Sequence, residues 1–190
     1  MSKVTKGPQP WLCPMPALLI GATVEGKPTF MTVAWGGVAN GEPPMVSLAI
    51  RPARHTLLGI RANSEFSVNV ASASQAREVD HCGVMSGAKA DKVAHCGFNV
   101  FYGKLSTAPL IEQCPVNLEC SVEQIIELKS HCLVIGRVVE THVTDNCLSA
   151  DGLIDFEKTD PLVFLDNPTG KYFRLGAFAA DAFSVGLELR

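Results

Sequence analysis

Turn-forming residues cut this chain into apolar stretches of roughly six to twelve residues, a spacing that favours short strands over long helices. Residues 17–24 are a nearly continuous apolar run and read as a buried strand, with Glu25-Gly26-Lys27-Pro28 as a turn behind it. Residues 29–39 resume the strand pattern, so a hairpin is predicted. Pro43 and Pro44 cannot sit inside a ladder of hydrogen bonds, which makes 41–44 a loop. In 45–50, Val46, Leu48 and Ile50 share one face while Ser47 and Ala49 share the other. Phe66, Val68 and Val70 alternate with Ser67 and Asn69, the pattern of a half-buried strand. Two longer strands are expected at 115–128, where Leu118, Cys120 and Val122 share a face, and at 131–143, where Gly136 marks a bulge or a close approach. Residues 161–165 form a last short strand. Helices are predicted at 56–63, 72–81 and 91–96, the acidic stretch 145–161 is expected to be a loop, and 171–190 an aromatic-bearing tail. The pattern predicts a mainly β fold with peripheral helices, of the antiparallel β-barrel type, as one domain over residues 1–190.

Composition narrows the function classes. With 190 residues, 47% of them hydrophobic and 18% charged, the chain is long and apolar enough to fold around a large core. Its 19 acidic and 16 basic residues give a net charge of −3, too balanced for the electrostatic footprint of a nucleic-acid or anionic-membrane binder. No apolar run approaches the roughly 18 residues needed to span a bilayer. The N-terminus has no secretory pattern, and the seven cysteines are odd in number with no C-x-x-C pair. Reduced thiols and a cytoplasmic location are the expectation.

Nucleotide motifs fail on inspection. Gly21 to Pro28 nearly matches a phosphate-binding G-x-x-x-x-G-K-[ST] loop, but Pro28 stands where a hydroxyl must hold Mg²⁺, and a strand follows instead of a helix. There is no G-x-G-x-x-G. A nucleotide-like cofactor would need strand-edge hydroxyls and scattered cations. Such groups occur in three places: Met31-Thr32-Val33-Ala34-Trp35-Gly36-Gly37, the run from Ser47 through Arg51 and Arg54 to Thr56, and Ser86 to Lys92. In the second, two Arg stand where a strand runs into a helix start, a natural meeting point for a phosphate.

In this order, these segments resemble the flavin reductase family, and within it the flavoredoxin branch. The matching residues are P-M-P-A-L-L-I-G from Pro14, P-T-F-M-T-V-A-W-G-G from Pro28, P-P-M-V-S-L-A-I-R from Pro43 with His55-Thr56, F-S-V-N-V from Phe66, and H-C-G-V-M-S-G-A-K-A-D-K to Lys92. L-E-C from Leu118, H-C-L-V-I-G-R-V from His131 and a tail ending at Gly186 extend the likeness over nearly the whole chain. The resemblance implies an FMN-binding split β-barrel that works as a homodimer. It implies that Thr32, Val33, Ala34 and Trp35 meet the flavin, that Ser47, Ala49, Arg51, Arg54 and Thr56 cover the ribityl-phosphate side, and that Ser86 and Lys92 complete the contacts. It further implies an oxidoreductase passing electrons from NAD(P)H or a redox protein to an acceptor, or else an electron carrier with no nicotinamide site. The family often has Asp before the late-strand His, where this chain has Ser130 before His131.

Several residues keep two readings. His131 is the candidate catalytic residue beside the flavin, or a strand-end histidine bonded to backbone. His81-Cys82, His95-Cys96 and His131-Cys132 are adjacent pairs, and neighbours on a strand point to opposite faces, so no metal site is predicted; His81 and His95 could converge only if 83–94 folds back. Cys82 could be redox-active beside a flavin, although one thiol without a partner is a poor dithiol catalyst. Asp151, Asp155, Glu157 and Asp160 read as a solvated loop, their spacing being wrong for a calcium loop. Tyr172 and Phe173 either cover a partner's flavin or pack into the core.

Overall fold

The computed structural model describes residues 1–166 and 170–189. Arg190, the end of the predicted tail, lies outside them. The strands are β1 (Met15–Pro16), β2 (Leu18–Val24), β3 (Lys27–Val33), β4 (Gly36–Asn40), β5 (Met45–Ile50), β6 (Glu65–Val70), β7 (Val100–Phe101), β8 (Leu110–Ile111), β9 (Val116–Glu127), β10 (Cys132–Val143), β11 (Val163–Leu165) and β12 (Lys171–Phe173). The helices are α1 (His55–Asn63), α2 (Ala76–Val84), α3 (Lys92–Cys96) and α4 (Phe156–Thr159). None of them is long and apolar enough to cross a membrane.

Seven strands pair antiparallel in the order β3-β2-β6-β9-β10-β5-β4, and β1-β11-β12 and β7-β8 form small sheets beside them. The large sheet curls, because β3 near one edge touches β5 near the other. Inside the curl Ile20, Met31, Leu48, Phe66, Cys120 and Val134 form one core, closed by Leu57 and Ile60 of α1. Gly59 lets α1 approach β2 closely: a Cβ there would sit 2.4 Å from the Thr23 carbonyl oxygen. Outside the sheet a second core of Leu19, Phe30, Val79, Cys82 and Phe98 lies under α2 and α3. Strand β2 therefore buries both faces, which is why its sequence is apolar without alternation.

Four expectations need correction. The predicted strand 29–39 is two strands on different parts of the sheet. β3 ends at Val33, the chain turns at Ala34-Trp35-Gly36 with Gly36 N–H donating to Ala34 O at 3.0 Å, and β4 pairs with β5. Strand β6 is buried on both faces rather than half-buried. Its polar side is covered by 107–111, whose backbone needs partners: Asn69 Oδ1 accepts from Ile111 N at 3.0 Å, Asn69 Nδ2 donates to Leu19 O at 2.9 Å, and Ser67 Oγ donates to Pro109 O. The helix predicted at 72–81 begins as a 3₁₀ turn over Ala73–Gln75, capped by Ser72 and Gln75, before α2 takes over. The acidic stretch 145–161 is not wholly loop, since Asp155 caps α4 through the Glu157 and Lys158 amides at 3.1 and 3.2 Å.

Candidate functional site

Where the chain leaves β3, crosses to β4 and later enters α1, a cleft of about 320 Å³ opens, within the usual range for a small-molecule site. Its wall carries Thr32, Val33, Ala34, Trp35, Ala49, Arg51, Arg54 and His131, all expected from the sequence to serve one site. It also carries Met31, Ile50, Phe164 and Asp166. Phe164 and Asp166 were not anticipated, because the short strand 161–165 gave no sign that it returns to this place. A second, more apolar cleft of about 610 Å³ adjoins the first, sharing Ala34 and Trp35 and adding Trp11, Leu12, Met15 and Ser47.

The cationic side of the first cleft is prepared by the backbone. Arg54 Nη1 donates to Gly83 O at 2.8 Å, so the last turn of α2 orients the guanidinium. Arg54 is also the residue before α1; among the described residues no side chain caps that helix, and no acidic residue stands in its first turn. Two guanidiniums beside an uncapped helix start favour an anion. Thr32 Oγ1 donates to Val79 O, so the hydroxyl offers a ligand its lone pairs and not its proton. Trp35 stacks on His131 with ring centroids 4.7 Å apart and planes at 24°. Ser130 Oγ lies 2.9 Å from His131 Nδ1, where the hydroxyl can donate to the ring nitrogen or accept from it. Partial burial, and then the nearby Arg51 charge, hold His131 below its usual pKa, which favours the neutral ring at neutral pH.

The other sequence candidates lie elsewhere. Ser47 faces the adjoining apolar cleft, its Oγ 3.5 Å from Gly37 O. Thr56 is buried in α1. Ser86 is exposed beyond α2, where its Oγ accepts from Ala88 N at 3.3 Å. Lys92 is buried, and its ammonium donates to Phe30 O and Cys82 O, both at 2.8 Å, which ties β3 to α2. Burial holds its pKa below the usual lysine value. Lys92 also borders a third cleft of about 680 Å³, with Thr29, His55, Gly87 and Lys89.

Tyr172 packs on Phe164 within the same chain, ring centroids 5.4 Å apart, and its hydroxyl donates to Asp80 Oδ1 at 3.3 Å. Residues 83–94 do fold back and bring the His81 and His95 rings to 5.5 Å. Even so, no group of three His, Cys, Asp or Glu among the described residues is placed to hold a metal ion.

Comparison with known proteins adds a family to this geometry. The sequence model of the flavin reductase like domain matches residues 12–170. An uncharacterised protein of Archaeoglobus fulgidus is 32% identical over 145 residues, 76% of this chain and 80% of its own. Among solved structures, flavoredoxin from Methanosarcina acetivorans superposes with a TM-score of 0.94 at 34% identity, covering 100% of both chains. Flavoredoxin of Desulfovibrio vulgaris gives 0.91 at 31% identity, covering 97% of this chain and 100% of its own.

Proposed function

We propose that this chain, which belongs to the flavin reductase like family, binds FMN non-covalently in the Arg51–Arg54 cleft and passes electrons through it. A flavin-linked redox role follows from that membership, and the split-barrel architecture predicted from the sequence is the one its relatives share. The observation that carries the finer reading is the donor set. Two guanidiniums and an uncapped helix start line the same cleft as the small and aromatic residues Ala34, Ala49 and Trp35. A phosphate with about two negative charges suits the first group, and a planar ring suits the second. When bound, the flavin supplies the redox chemistry. Arg54 holds the phosphate in a direction fixed by Gly83, while Ala34 and Ala49 admit the ring close to the backbone. Met31, Ile50 and Phe164 limit the water that reaches it. The neutral His131, stacked on Trp35, offers a ring nitrogen for proton exchange with an incoming donor or acceptor.

Electrons then come from NAD(P)H or from a redox protein. Identity above 30% to two flavoredoxins favours the second source, in which the chain is a carrier without a nicotinamide site. Anaerobic titration decides between them: bleaching of the yellow protein by NADH or NADPH alone supports the reductase, and bleaching only after a partner reductase or dithionite is added supports the carrier. Arg54→Ala should weaken FMN retention by about 10-fold or more, the value of a charge-assisted phosphate contact. Unchanged, stoichiometric flavin in that variant would place the phosphate elsewhere.

A second copy of the chain belongs to this reading. Leu175, Phe178, Phe183, Leu187 and Leu189 of the tail, with Trp11 and Leu12 near the other terminus, all stand exposed. A lone chain would leave that much apolar surface in water, and a homodimer face would cover it. Sedimentation should give twice the chain mass; a monomer at micromolar concentration would refute the dimer.

A further inference from the structure

The chain has two tryptophans, Trp11 and Trp35, and both line the apolar cleft of about 610 Å³ that adjoins the Arg51–Arg54 cleft. Among the described residues no charged side chain lines it, and apart from the indole N–H groups its polar side chains are Gln9 and Ser47. The Ser47 hydroxyl reaches Gly37 O at 3.5 Å, the outer limit of a hydrogen bond, so its proton is free to turn to a better acceptor. Gly37 is a residue that neither backbone nor packing explains. Its φ is not positive, and a Cβ there would meet nothing within 4 Å. The neighbouring Gly36 differs, since a Cβ there would lie 3.0 Å from Leu48 Cδ2 in the inner core. Gly37 stands opposite Ser47 in the β4–β5 pairing, and opposed residues project to one face. Leu48 and Ile50 are buried inside the curl, so Ser47 and Gly37 face the other way, into the cleft. A strand glycine with no steric reason of its own marks the close approach of something else.

We propose that this cleft is a binding site for small uncharged quinones. The walls select the class. Indole stacks a planar ring, the bare strand at Gly37 lets that ring lie flat, and Ser47 and Gln9 can donate to its carbonyl oxygens. A nicotinamide dinucleotide or a free flavin nucleotide brings phosphates, which need cations that this cleft lacks.

The use of the site rests on the flavin reading above, since Ala34 and Trp35 line both clefts. Two electrons and two protons turn a bound quinone into its hydroquinone, and reduced FMN is the source of both. Binding itself does not require the flavin. Trp11 and Leu12 also belong to the apolar surface assigned above to a second copy, so the cleft and that face adjoin.

The test uses the whole chain, with and without added FMN, and duroquinone, whose fully methylated ring leaves no position for addition of the exposed Cys13 thiol. Because both tryptophans line the cleft, duroquinone should quench their fluorescence saturably and without shortening the emission lifetime of the free protein. A ring-sulfonated benzoquinone should need at least about 10-fold more, because its charge finds no partner there. Gly37→Val fills the cleft with a side chain that suits a strand, and should weaken duroquinone binding by about 10-fold or more while FMN retention and sedimentation stay as in the wild type. Quenching that never saturates overturns the proposal. So does unchanged duroquinone affinity in Gly37→Val, and a lower sedimenting mass of that variant would then assign the bare strand to a second copy. Loss of FMN from Gly37→Val overturns it as well, by making the two clefts one flavin site. A chain that binds duroquinone but no FMN upholds the quinone site and refutes the flavin reading, while FMN binding without saturable quenching does the reverse.

Discussion

Glu119→Ala should cost about 3 kcal/mol of stability, the scale set by leaving the partners of a buried carboxylate unmet. Glu119 lies in the middle of β9 with no exposed surface. Its Oε1 accepts from Lys104 N at 3.1 Å and lies 2.7 Å from His142 Nε2, and its Oε2 accepts from Leu105 N at 2.6 Å. One side chain thus fastens β10 and the loop that follows β7. Gly103 completes the arrangement, since a Cβ there would sit 2.0 Å from the same oxygen. At the size of this chain, 3 kcal/mol corresponds to a fall in Tm of roughly 6–12 °C.

The same carboxyl predicts a pH signature. Burial alone would push its pKa up, but the His142 hydrogen bond and the Leu105 and Lys104 amides outweigh burial and hold it below the ordinary value of 4.5. A depressed folded-state pKa means that the unfolded chain takes up the proton first as acid is added. The stabilisation is therefore complete above about pH 4.5 and is lost as pH falls through the folded-state value. Urea midpoints at pH 7 and in the acid range should diverge more for the native protein than for Glu119→Gln, which has no proton to gain. Equal acid sensitivity in the two proteins would mean that Glu119 is not ionised in the folded state.

What could be read from the residues was local. Alternation located β5, β6, β9 and β10, and the failed phosphate loop was correctly a hairpin turn, with Glu25 and Gly26 both at positive φ. Polarity within a strand misled where distant backbone supplied the partner. Ser67 and Asn69 read as solvent-facing, yet they satisfy a segment some 40 residues later in the chain. Periodicity carries no record of such a partner. The break at Ala34-Trp35 was missed for a similar reason, because nothing in 29–39 says that the chain must cross to the far side of the curl. In the candidate site, the residues near one another in sequence came together as expected. Lys92 read as a free cation, but the buried carbonyls of Phe30 and Cys82 claim two of its donors.

Gly136 is the position where a local signal and a distant cause meet, and Gly136→Ala should destabilise the fold by about 2–3 kcal/mol. The residue sits in β10 beside a register shift, opposite Val122 and Val46. A Cβ there would lie 2.3 and 2.5 Å from Cζ and Cε1 of Phe66 and 3.2 Å from Cys120 Cβ. Phe66 is fully buried at the centre of the inner core, so its ring cannot retreat without displacing its neighbours. If that ring is the obstacle, shortening it should relieve the clash. Phe66→Leu alone should cost about 1–2 kcal/mol from lost buried surface. The double variant should then be more stable than the sum of the two losses by at least about 1 kcal/mol, measured from urea midpoints in a double-mutant cycle. Strict additivity would mean that β10 bows outward instead. The glycine would then answer to the register shift, and the Phe66 ring would not be what excludes a side chain there.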